Sequence, residues 1–599
     1  MYLMKNNKSA LREKDFVDKA LSDLLEKRCI YEVPFVPHNV SPLSVATNSS
    51  GKKRLILDLS VLNLYVKKER VKFEDYKVAK EFLVPHGYMY KYDLTSGYHH
   101  IDIIANQHTY LGFSWPVNGR TRYMVFSVLP FGLSSAPRCF CKTLRPLVKF
   151  WRSHGLRTLL FLDDGFGINA SFELTLRDSN FVQQTLDNAG FVINIEKSIF
   201  IPTQILEWLG YIWNLQSGCF IIPDRRRDSA IDCLKDIFSK YPTVTPRHLA
   251  KFAGKVLSMA PVLGNVCFLK TKSFYRIIES RCHWDSALNI SQCLHCLHFW
   301  DRVLSGVLSK PLFTEVLPAK AVYSDASASA GAGYIECDHS IAHRPWNFFE
   351  QAQSSTFREM LAINYCLLSF SSKLAGRRVL WHTDSKNCVS IIEKGSMNSN
   401  LHDMAENIFT ICARNCISLE MKWISRDLNL EADRYSRIVD LDDYGVSAEF
   451  FDFLESMYGP HDIDRFANEY SCKVSRYNSL FWTPSTEAVD AFTQDWGNDN
   501  NWCVPPVSLA PRALNHIFCC KGTGTFVLPF WPSSPFFPLI FGENSILKPY
   551  IQEILLFHEP SRIYVQGNNK ESIFGSSSFN SKVLVVRIVF MENRFEFNV

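Results

Sequence analysis

Two adjacent carboxylates follow an apolar run in the segment FLDDGFG, which spans residues 161–167. Asp163 and Asp164 come directly after four apolar residues, 159–162, and glycines stand at 165 and 167. Like charges repel, and burying even one carboxylate is costly unless a positive group lies near it. A fold that contains this segment must therefore supply a cation beside the pair.

A third acid, Asp93, ends the strand-like segment YMYKYDL at residues 88–94. Apolar runs that end in acids, here and at 158–164, predict strands that deliver carboxylates to one edge of a sheet. If the two strands are neighbours, the three acids converge, and such oxygen ligands bind hard divalent cations such as Mg²⁺. Two cations held there would stabilise the attacking and leaving oxygens of an in-line phosphoryl transfer. For the acid pair alone, a strand end followed by a turn is the alternative.

The chain of 599 residues is too long for one core, and its length predicts about three to five domains. Its 18 cysteines lack a disulfide spacing, and the first residues lack the apolar core of a signal peptide. We therefore expect an intracellular protein, cytoplasmic or nuclear and not secreted. No apolar run reaches the ~18–20 residues of a membrane helix, so we expect no membrane contact. The segment 525–541 contains four prolines, which favours a polyproline-like path or a packed loop.

The net charge of +5 is unevenly placed along the chain. Residues 52–80 contain nine Lys or Arg against four acids, an excess of five in one stretch. A basic segment beside an acidic pair indicates a polyanion held near metal ions. A solvated charged face is the alternative.

A segment rich in cysteine and histidine contains Cys282, His283, Cys293, Cys296 and His298. Its CxxC spacing is typical of zinc sites, but no second CxxC or HxxxH completes a tetrahedral set. A core helix is favoured instead, because four bulky or apolar residues recur on one helical face: Cys293, Leu297, Trp300 and Leu304.

Other patterns order the rest of the chain. Apolar spacings of three and four predict a helix over 10–28, alternation predicts a strand over 52–63, and Thr245 followed by Pro246 predicts a helix start. From residue 319, strand-like and helix-like segments alternate as in a compact α/β domain. Residues 436–445 mark a boundary. An aromatic and proline-rich region with a strand-like end follows from 461.

The α/β segment contains four further candidate acids: Asp325 in YSDAS, Glu359 in FREM, Asp384 in HTDSKN and Asp433 in EADRYSR. Asp325 and Asp384 each follow a strand-like run, Glu359 lies on a predicted helix, and Asp433 lies near the start of one. Each acid alone is typical of a turn former or a helix cap.

Five motifs in order resemble the reverse transcriptases, in particular those of retrotransposons: KYDLTSGYHHIDI, VLPFGLSSAP, FLDD, GFVINIEKS and WLGY. The resemblance covers about residues 30–270. It implies a right-hand polymerase of fingers, palm and thumb, in which Asp93 and Asp163 bind metal ions with Asp164 beside them. The positive partner of the acid pair is then metal plus substrate phosphate.

The same resemblance implies substrate contacts. Tyr98 resembles the aromatic gate that leaves no room for a 2′-OH. Arg54 resembles the fingers arginine that contacts the triphosphate, with Lys53 assisting. The remaining implied contacts are Gly132 at the templating base, Lys197 as a proton donor to pyrophosphate, and Trp208, Leu209 and Gly210 as the grip on the primer end. The residues alone leave simpler alternatives open: core aromatics for Tyr98 and Trp208, a solvated lysine for Lys53, a plain turn for Gly132 and a helix-surface lysine for Lys197.

In order and type, the four acids of the α/β segment resemble the carboxylates of ribonuclease H: Asp325, Glu359, Asp384 and Asp433. In that family four such acids hold two Mg²⁺ ions around a scissile RNA phosphate. Trp423 is a departure, because many relatives have a histidine upstream of the last acid. The resemblance implies slower product release or weaker general-acid catalysis here, with the metal ligands intact.

Residues 461–541 resemble the segment that follows ribonuclease H in DIRS-like elements, the tyrosine-recombinase retrotransposons, some of which carry a methyltransferase-like module. Val504 and Val507 flank Pro505-Pro506, where an adenine methyltransferase needs a small polar residue and an aromatic one. We therefore expect packing or substrate-path contacts and no methylation. No recombinase constellation is recognisable, so we expect a recombinase on another reading frame, or a chain that is a fragment of a longer polyprotein.

The sequence thus predicts a multidomain α+β and α/β protein. Its predicted parts are an N-terminal helix and lead-in (1–50), fingers and palm (51–235), thumb and connection (236–318), a ribonuclease H-like α/β domain (319–440) and a C-terminal α/β module of unknown function (461–595). The predicted function is that of a nucleotidyltransferase, an RNA-directed DNA polymerase, with a ribonuclease H endonuclease. The expected cofactor is Mg²⁺, two ions per active site with Mn²⁺ as a substitute, and the expected partners are an RNA template, a DNA primer, an RNA–DNA hybrid and deoxynucleoside triphosphates. The alternative is a decayed or host-adopted protein that binds nucleic acid without catalysis.

Overall fold

The computed structural model describes residues 2–47, 51–67, 69, 71–117, 119–313, 318–440, 442–567, 572–576 and 579–590. The chain divides into two compact units. The first contains residues 1–240, 254–264 and 297–314, and the second contains residues 241–253, 265–296 and 315–599. The predicted segment 236–318 is thus shared between the units. Parts of the sequence predictions lie outside the described residues: 48–50, Lys68 and Arg70 of the basic stretch, residue 441 and residues 591–595.

A five-stranded sheet in the first unit packs against a helix near the N-terminus. Its strands, in spatial order, are Tyr2–Leu3, Asn39–Ser41, Gly112–Val117, Arg120–Phe126 and Ile30–Val33. Val17 and Leu21 of the helix are buried in one core with Trp115. The helix predicted over 10–28 is interrupted, because Glu13 leaves helical geometry between Lys8–Arg12 and Lys14–Glu26.

The strand predicted over 52–63 is correct only for its first part. The strand Lys53–Leu57 pairs with Leu43–Thr47 in an antiparallel ladder. The side chain of Asp58 then accepts hydrogen bonds from the backbone N–H and the hydroxyl of Ser60, which turns the chain. A short 3₁₀ helix, Leu62–Leu64, follows.

A four-stranded antiparallel sheet carries the acids of the FLDD segment. Its strands, in spatial order, are Ile199–Thr203, Tyr88–Asp93, Asp164–Asn169 and Arg157–Phe161. The two glycines of FLDDGFG are required by packing, because a Cβ at either position would overlap the ring of Tyr92 or Tyr90 on the neighbouring strand. Helices Ala136–Ser153 and Phe172–Asn188 contribute buried residues to the same core.

A second four-stranded sheet completes the first unit. Its strands are Ile205–Trp208, Tyr211–Asn214, Cys219–Ile221 and Ser309–Pro311. The first two form a hairpin whose two turn residues, Leu209 and Gly210, both have positive φ angles of 50° and 74°, as a type I′ turn requires. The other helices in this part of the chain are Tyr76–Phe82, Asp224–Ser239 and Ala260–Leu263.

Two helices match the patterns predicted from the sequence between residues 245 and 304. The helix Pro246–Leu257 begins directly after Thr245. The helix Leu294–Leu304 buries the predicted face, since Cys293, Leu297, Trp300 and Leu304 are at most 1% exposed. The core-helix prediction is therefore confirmed for this face. The helix Val266–Glu279 lies in the second unit.

A five-stranded sheet with helices forms the first half of the second unit. Its strands, in spatial order, are Ser340–Pro345, Ala330–Ile335, Ala319–Ala326, Arg378–Thr383 and Ser418–Trp423, of which the last three are parallel. The longer helices are Ser355–Ser369, Lys386–Lys394 and Ser399–Arg414, and the short helix Leu430–Tyr435 ends the segment. Buried residues of the sheet and helices share one core, which includes Trp381 and Met360.

A second α/β sheet forms the C-terminal part of this unit. Its strands are Ile463–Asp464, Asn500–Cys503, Thr523–Pro529, Val583–Ile588 and Ile551–Phe557, and the first three are parallel. Helices Ala448–Tyr458 and Ala510–Cys520 accompany it. The proline-rich segment 525–541 is neither a polyproline path nor only a loop. Pro529 ends a buried strand and Pro538 lies in the first turn of the short helix Phe537–Ile540, two positions that tolerate proline.

Within the described ranges, no helix is long and apolar enough to cross a membrane.

Candidate active sites

The structure brings Asp93, Asp163 and Asp164 to one end of one sheet; these three residues are the first acid cluster. Asp93 and Asp164 are direct partners across two antiparallel strands, and Asp163 lies in the turn before Asp164. Backbone hydrogen bonds fix the turn, since the N–H of Leu94 donates to the carbonyl oxygen of Asp163 at 3.0 Å. Leu162 holds a positive φ of 55° in this turn, a rare conformation for a branched residue that is found at functional sites.

Burial and mutual repulsion both disfavour ionised acids in this cluster. Burial, followed by the charges of Asp163 and Asp93, raises the pKa of Asp164 to about 6. Burial also raises the pKa of Asp163. Lys197 supplies a positive charge, with its Nζ 3.2 Å from Asp93 Oδ2, and it lies in a turn rather than on a helix surface. Oxygen donors held together against repulsion fit hard divalent cations, which would lower these pKa values again.

The hairpin Ile205–Asn214 borders the first acid cluster. One cleft is lined by Asp93, Asp164, Lys197, Trp208, Leu209 and Gly210. Trp208 is only 2% exposed and packs against Phe166 at a ring distance of 4.8 Å, so it supports the hairpin from the core. Arg226 donates to the carbonyl oxygen of Gly210 and steadies the turn.

Tyr98 lies beside the first acid cluster on the side of the helix Ala136–Ser153. Its ring contacts Phe131 at 4.9 Å and Phe140 at 5.4 Å. Gly97, directly before Tyr98, lies so close to Asp163 that a Cβ on it would be 3.4 Å from the Cβ of that acid. Burial and then the charge of Asp163 raise the pKa of the Tyr98 hydroxyl. A half-buried ring fixed in this way has a defined position next to the site.

The other predicted substrate contacts occupy the strand Lys53–Leu57 and the loop before the helix Ala136–Ser153. Arg54 is exposed, whereas Lys53 forms an ion pair with Glu13 at 2.5 Å. Gly132 has a φ of +99°, and a Cβ there would lie 2.9 Å from the carbonyl oxygen of Leu57. Glycine is therefore required by backbone packing at this position.

A second acid cluster, defined as Asp325, Glu359, Asp384 and Asp433, lies in the second unit. The carboxylate oxygens of the first three lie within 4.8 Å of one another. Asp325 is near the end of the strand Ala319–Ala326, Asp384 follows the strand Arg378–Thr383, and Glu359 projects from a helix. Asp433 lines the same cleft from the helix Leu430–Tyr435.

The acids of the second acid cluster have pKa values shifted in opposite directions. Burial, then the charges of Asp325 and Asp384, raises the pKa of Glu359 to about 9. Hydrogen bonds from Arg437 and Arg426, both 2.9 Å long, hold the pKa of Asp433 below its usual value. Glu359 Oε2 is buried and has no hydrogen-bond partner among the described residues. An orphaned carboxylate oxygen between two other acids fits a bound divalent cation.

Trp423, which stands where a histidine is expected, contacts the second acid cluster. Its indole N–H donates to the carbonyl oxygen of Asp384 at 2.9 Å, and Lys386 lies over its ring at 4.1 Å. Sequence reasoning missed Lys386, Arg426 and Arg437. Only Arg437 had a readable signal, because it lies four residues after Asp433 on a helical spacing.

Residues 47–213 match the family described as reverse transcriptase (RNA-dependent DNA polymerase). The chain contains a reverse transcriptase domain. All members of the first acid cluster lie in this domain. The second acid cluster lies outside the matched residues.

Two curated relatives of this chain are polyproteins. The chain is 24% identical over 448 residues to the retrovirus-related Pol polyprotein from transposon opus of Drosophila melanogaster. This alignment covers 70% of this chain and 42% of that protein. It is 24% identical over 160 residues to the genome polyprotein of Petunia vein clearing virus (isolate Shepherd). This alignment covers 27% of this chain and 7% of that protein. The chain is thus a homologue of a retrotransposon Pol polyprotein. It spans less than half the length of these curated relatives.

Solved structures of foamy viral protease-reverse transcriptase also resemble this chain. The complex with dsDNA has a TM-score of 0.45 at 16% identity and covers 71% of this chain and 85% of that chain. The complex with RNA/DNA hybrid has a TM-score of 0.44 at 14% identity and covers 74% of this chain and 58% of that chain.

Proposed function

We propose that the protein is an RNA-directed DNA polymerase whose active site is the first acid cluster. The observation that carries this proposal is the pairing of Asp93 with Asp164, with Asp163 in the adjoining turn, inside a reverse transcriptase domain. These acids would hold two Mg²⁺ ions, for which Mn²⁺ can substitute. Such ions neutralise phosphate charge and stabilise the attacking and leaving oxygens of phosphoryl transfer.

The chain's own residues would position the substrates around these acids. Lys197, 3.2 Å from Asp93, would keep a proton and a positive charge at the place where pyrophosphate leaves. The turn at Leu209 and Gly210 would contact the primer end, with Trp208 as its buried support. Exposed Arg54 would contact the triphosphate, whereas Lys53 is already paired with Glu13 and would contribute less.

The proposed polymerase function is tested with the full chain in a primer-extension assay on an RNA template. We expect a DNA primer to be extended with deoxynucleoside triphosphates when Mg²⁺ is present, and extension to stop when a chelator removes it. A DNA template of the same sequence serves as the comparison. Absence of extension on both templates, with the primer bound, would favour the alternative of a non-catalytic nucleic-acid-binding protein.

Replacing Tyr98 by alanine is expected to admit ribonucleotides. The ring is held against Phe131 and Phe140, so its removal opens space where a 2′-OH would lie. Steric discrimination of this size is about 1–3 kcal/mol, or roughly 10–200-fold in relative incorporation. Competition between a ribonucleotide and its deoxy form in single-nucleotide extension measures it. Tyr98→Phe keeps the ring and should keep the selectivity; equal loss in both variants would contradict the gate.

We further propose that the second acid cluster hydrolyses the RNA strand of an RNA–DNA hybrid. The proposal is supported by three carboxylates within 4.8 Å, the orphaned oxygen of Glu359 and a fourth acid on the same cleft. Arg426 and Arg437 hold Asp433 ionised, and Trp423 anchors the backbone of Asp384. A polymerase that copies RNA makes such a hybrid, so the two reactions would act on one substrate path.

The assignment to DIRS-like elements stays a proposal that rests on the sequence of residues 461–541. It includes an intracellular site of action, cytoplasmic or nuclear, and a recombinase encoded on another reading frame. The seven acids of the two clusters favour an enzyme over a binding-only remnant, because a protein that only binds nucleic acid does not need to tolerate their mutual repulsion.

A further inference from the structure

Three residues of the second unit that belong to neither acid cluster form a mixed set of metal ligands. His295 and Cys296 begin the helix Leu294–Leu304, and Glu406 lies on the helix Ser399–Arg414. Their ligand atoms all lie within 4.8 Å of one another. Cys296 Sγ is 3.1 Å from His295 Nε2, which is 3.8 Å from Glu406 Oε2.

These distances match the edges of a tetrahedral zinc site. Zinc lies about 2.3 Å from a thiolate sulfur and about 2.0–2.1 Å from imidazole nitrogen, so neighbouring ligand atoms around it are separated by roughly 3.3–3.7 Å. The two observed separations bracket this range. The third separation, from Cys296 Sγ to the Glu406 carboxylate, is at most 4.8 Å, so the three ligands would close on an ion by roughly 1 Å at most.

The other oxygen of Glu406 is already held by groups that would orient it. Lys270 Nζ lies 3.0 Å from Glu406 Oε1. His402 Nε2 lies 3.7 Å from the same oxygen, beyond hydrogen-bond distance. Oε2 therefore remains directed to His295. Partners of this kind, placed behind a ligand, fix its orientation and tune its affinity.

His402 is an independent sign that the cluster is built for a ligand. Its side chain is 1% exposed, and in the described part of the chain neither ring nitrogen has a hydrogen-bond partner. Its Nδ1 side faces Gly395, where a Cβ would lie 3.0 Å away, so the Nε2 side faces Glu406. A buried imidazole without hydrogen-bond partners is unusual, and an ion or a water bound beside it would account for it.

We propose that His295 Nε2, Cys296 Sγ and Glu406 Oε2 bind a zinc ion, with the fourth position open to solvent and His402 behind Glu406. A thiolate and an imidazole favour this borderline-soft metal, unlike the all-carboxylate acid clusters, which favour Mg²⁺. Binding would release the thiol proton of Cys296. The ion would join the start of one helix to the middle of another and so stabilise the second unit.

The site differs from the zinc pattern visible in the sequence. Of the five cysteines and histidines noted there, only Cys296 joins it, because Cys293 is packed in the core and Glu406 lies 110 residues away. The CxxC spacing therefore lies in the segment that contains the proposed site, but only one of its two cysteines is a proposed ligand.

The test measures zinc bound to the full chain. Purified protein is titrated with Zn²⁺ against a colorimetric chelator, in the presence of excess Mg²⁺ to fill the acid clusters. We expect one zinc equivalent that is lost, or weakened at least about tenfold, in His295→Ala, Cys296→Ser and Glu406→Gln. Cobalt substitution should give a thiolate-to-cobalt charge-transfer band that disappears in Cys296→Ser.

Two controls keep the test decisive. Cys282→Ser removes an exposed cysteine from the same segment and should leave the bound equivalent unchanged. His295 is exposed, so His295→Ala should fold even if substitution of buried Cys296 does not. Zinc should raise the unfolding temperature of the parent chain and not that of His295→Ala. No stoichiometric zinc, or zinc that all three ligand variants retain, would overturn the proposal.

Discussion

Replacing Asp163 by asparagine is expected to abolish RNA-templated primer extension while leaving cleavage of an RNA–DNA hybrid unchanged. The substitution keeps the shape of the side chain and the backbone hydrogen bond from Leu94, so the turn should persist. It removes a charge that would face the reacting phosphates. Loss of one preorganised electrostatic contact costs about 10²–10³ in rate. Single-nucleotide extension and hybrid cleavage, measured on the same preparation, report the two rates.

A matched control for this variant comes from the same cleft. Glu196 lines the cleft beside the first acid cluster but is exposed and not part of it. Glu196→Gln removes one negative charge there and should change extension by less than about threefold, as expected for a surface charge. Undiminished extension by Asp163→Asn would reject the assignment of the first acid cluster. Equal losses of extension in Asp163→Asn and Glu196→Gln would mean that any negative charge in the cleft has this effect, and would contradict a specific role for Asp163.

Local pattern predicted that the three acids of the first cluster would converge if their strands were neighbours, but it did not predict the pairing itself. Asp93 ends an apolar strand, and Asp163 and Asp164 follow the apolar strand Arg157–Phe161, so each acid lies next to a strand end. The second strand of the hairpin formed by Arg157–Phe161 and Asp164–Asn169 was harder to predict, because it begins with an acid and contains two glycines. Those glycines accommodate the rings of Tyr90 and Tyr92 from the neighbouring strand. The periodicity of a segment does not show which distant strand it pairs with, here Tyr88–Asp93 about seventy residues earlier.

Several contacts that tune the two clusters were beyond sequence reasoning because they join distant residues, whereas the pairing of Arg437 with Asp433 follows a helical spacing of four. Lys197 pairs with Asp93 across 104 positions, and Trp423 bonds the backbone of Asp384 across 39. Lys53 was predicted to assist Arg54 at the triphosphate, with a solvated lysine as the alternative. Its ion pair with Glu13, the residue between the two N-terminal helices, was not predicted. In each case residue type was informative, but the choice of partner depended on the tertiary fold.

Glu359 is held in the second acid cluster at the expense of stability. Its carboxyl is buried, and its pKa is raised to about 9, first by burial and then by Asp325 and Asp384. An unfolded chain ionises a glutamate near pH 4.3. Because the folded state binds the extra proton between these two values, stability is full below about pH 4 and falls as pH rises toward 9. A bound divalent cation would favour the ionised form and reverse this loss.

Glu359→Gln is therefore expected to stop hybrid cleavage and to stabilise the metal-free protein. Cleavage should fall by about 10²-fold or more, while primer extension is unchanged. In chelator at pH 8, the unfolding temperature of the second unit should rise by about 2 °C or more, and added Mg²⁺ should stabilise the parent chain more than the variant. Glu393→Gln, on the nearby helix Lys386–Lys394, should alter neither property. Retained cleavage would refute the catalytic assignment, and a lower unfolding temperature would refute the charge repulsion inferred for the cluster.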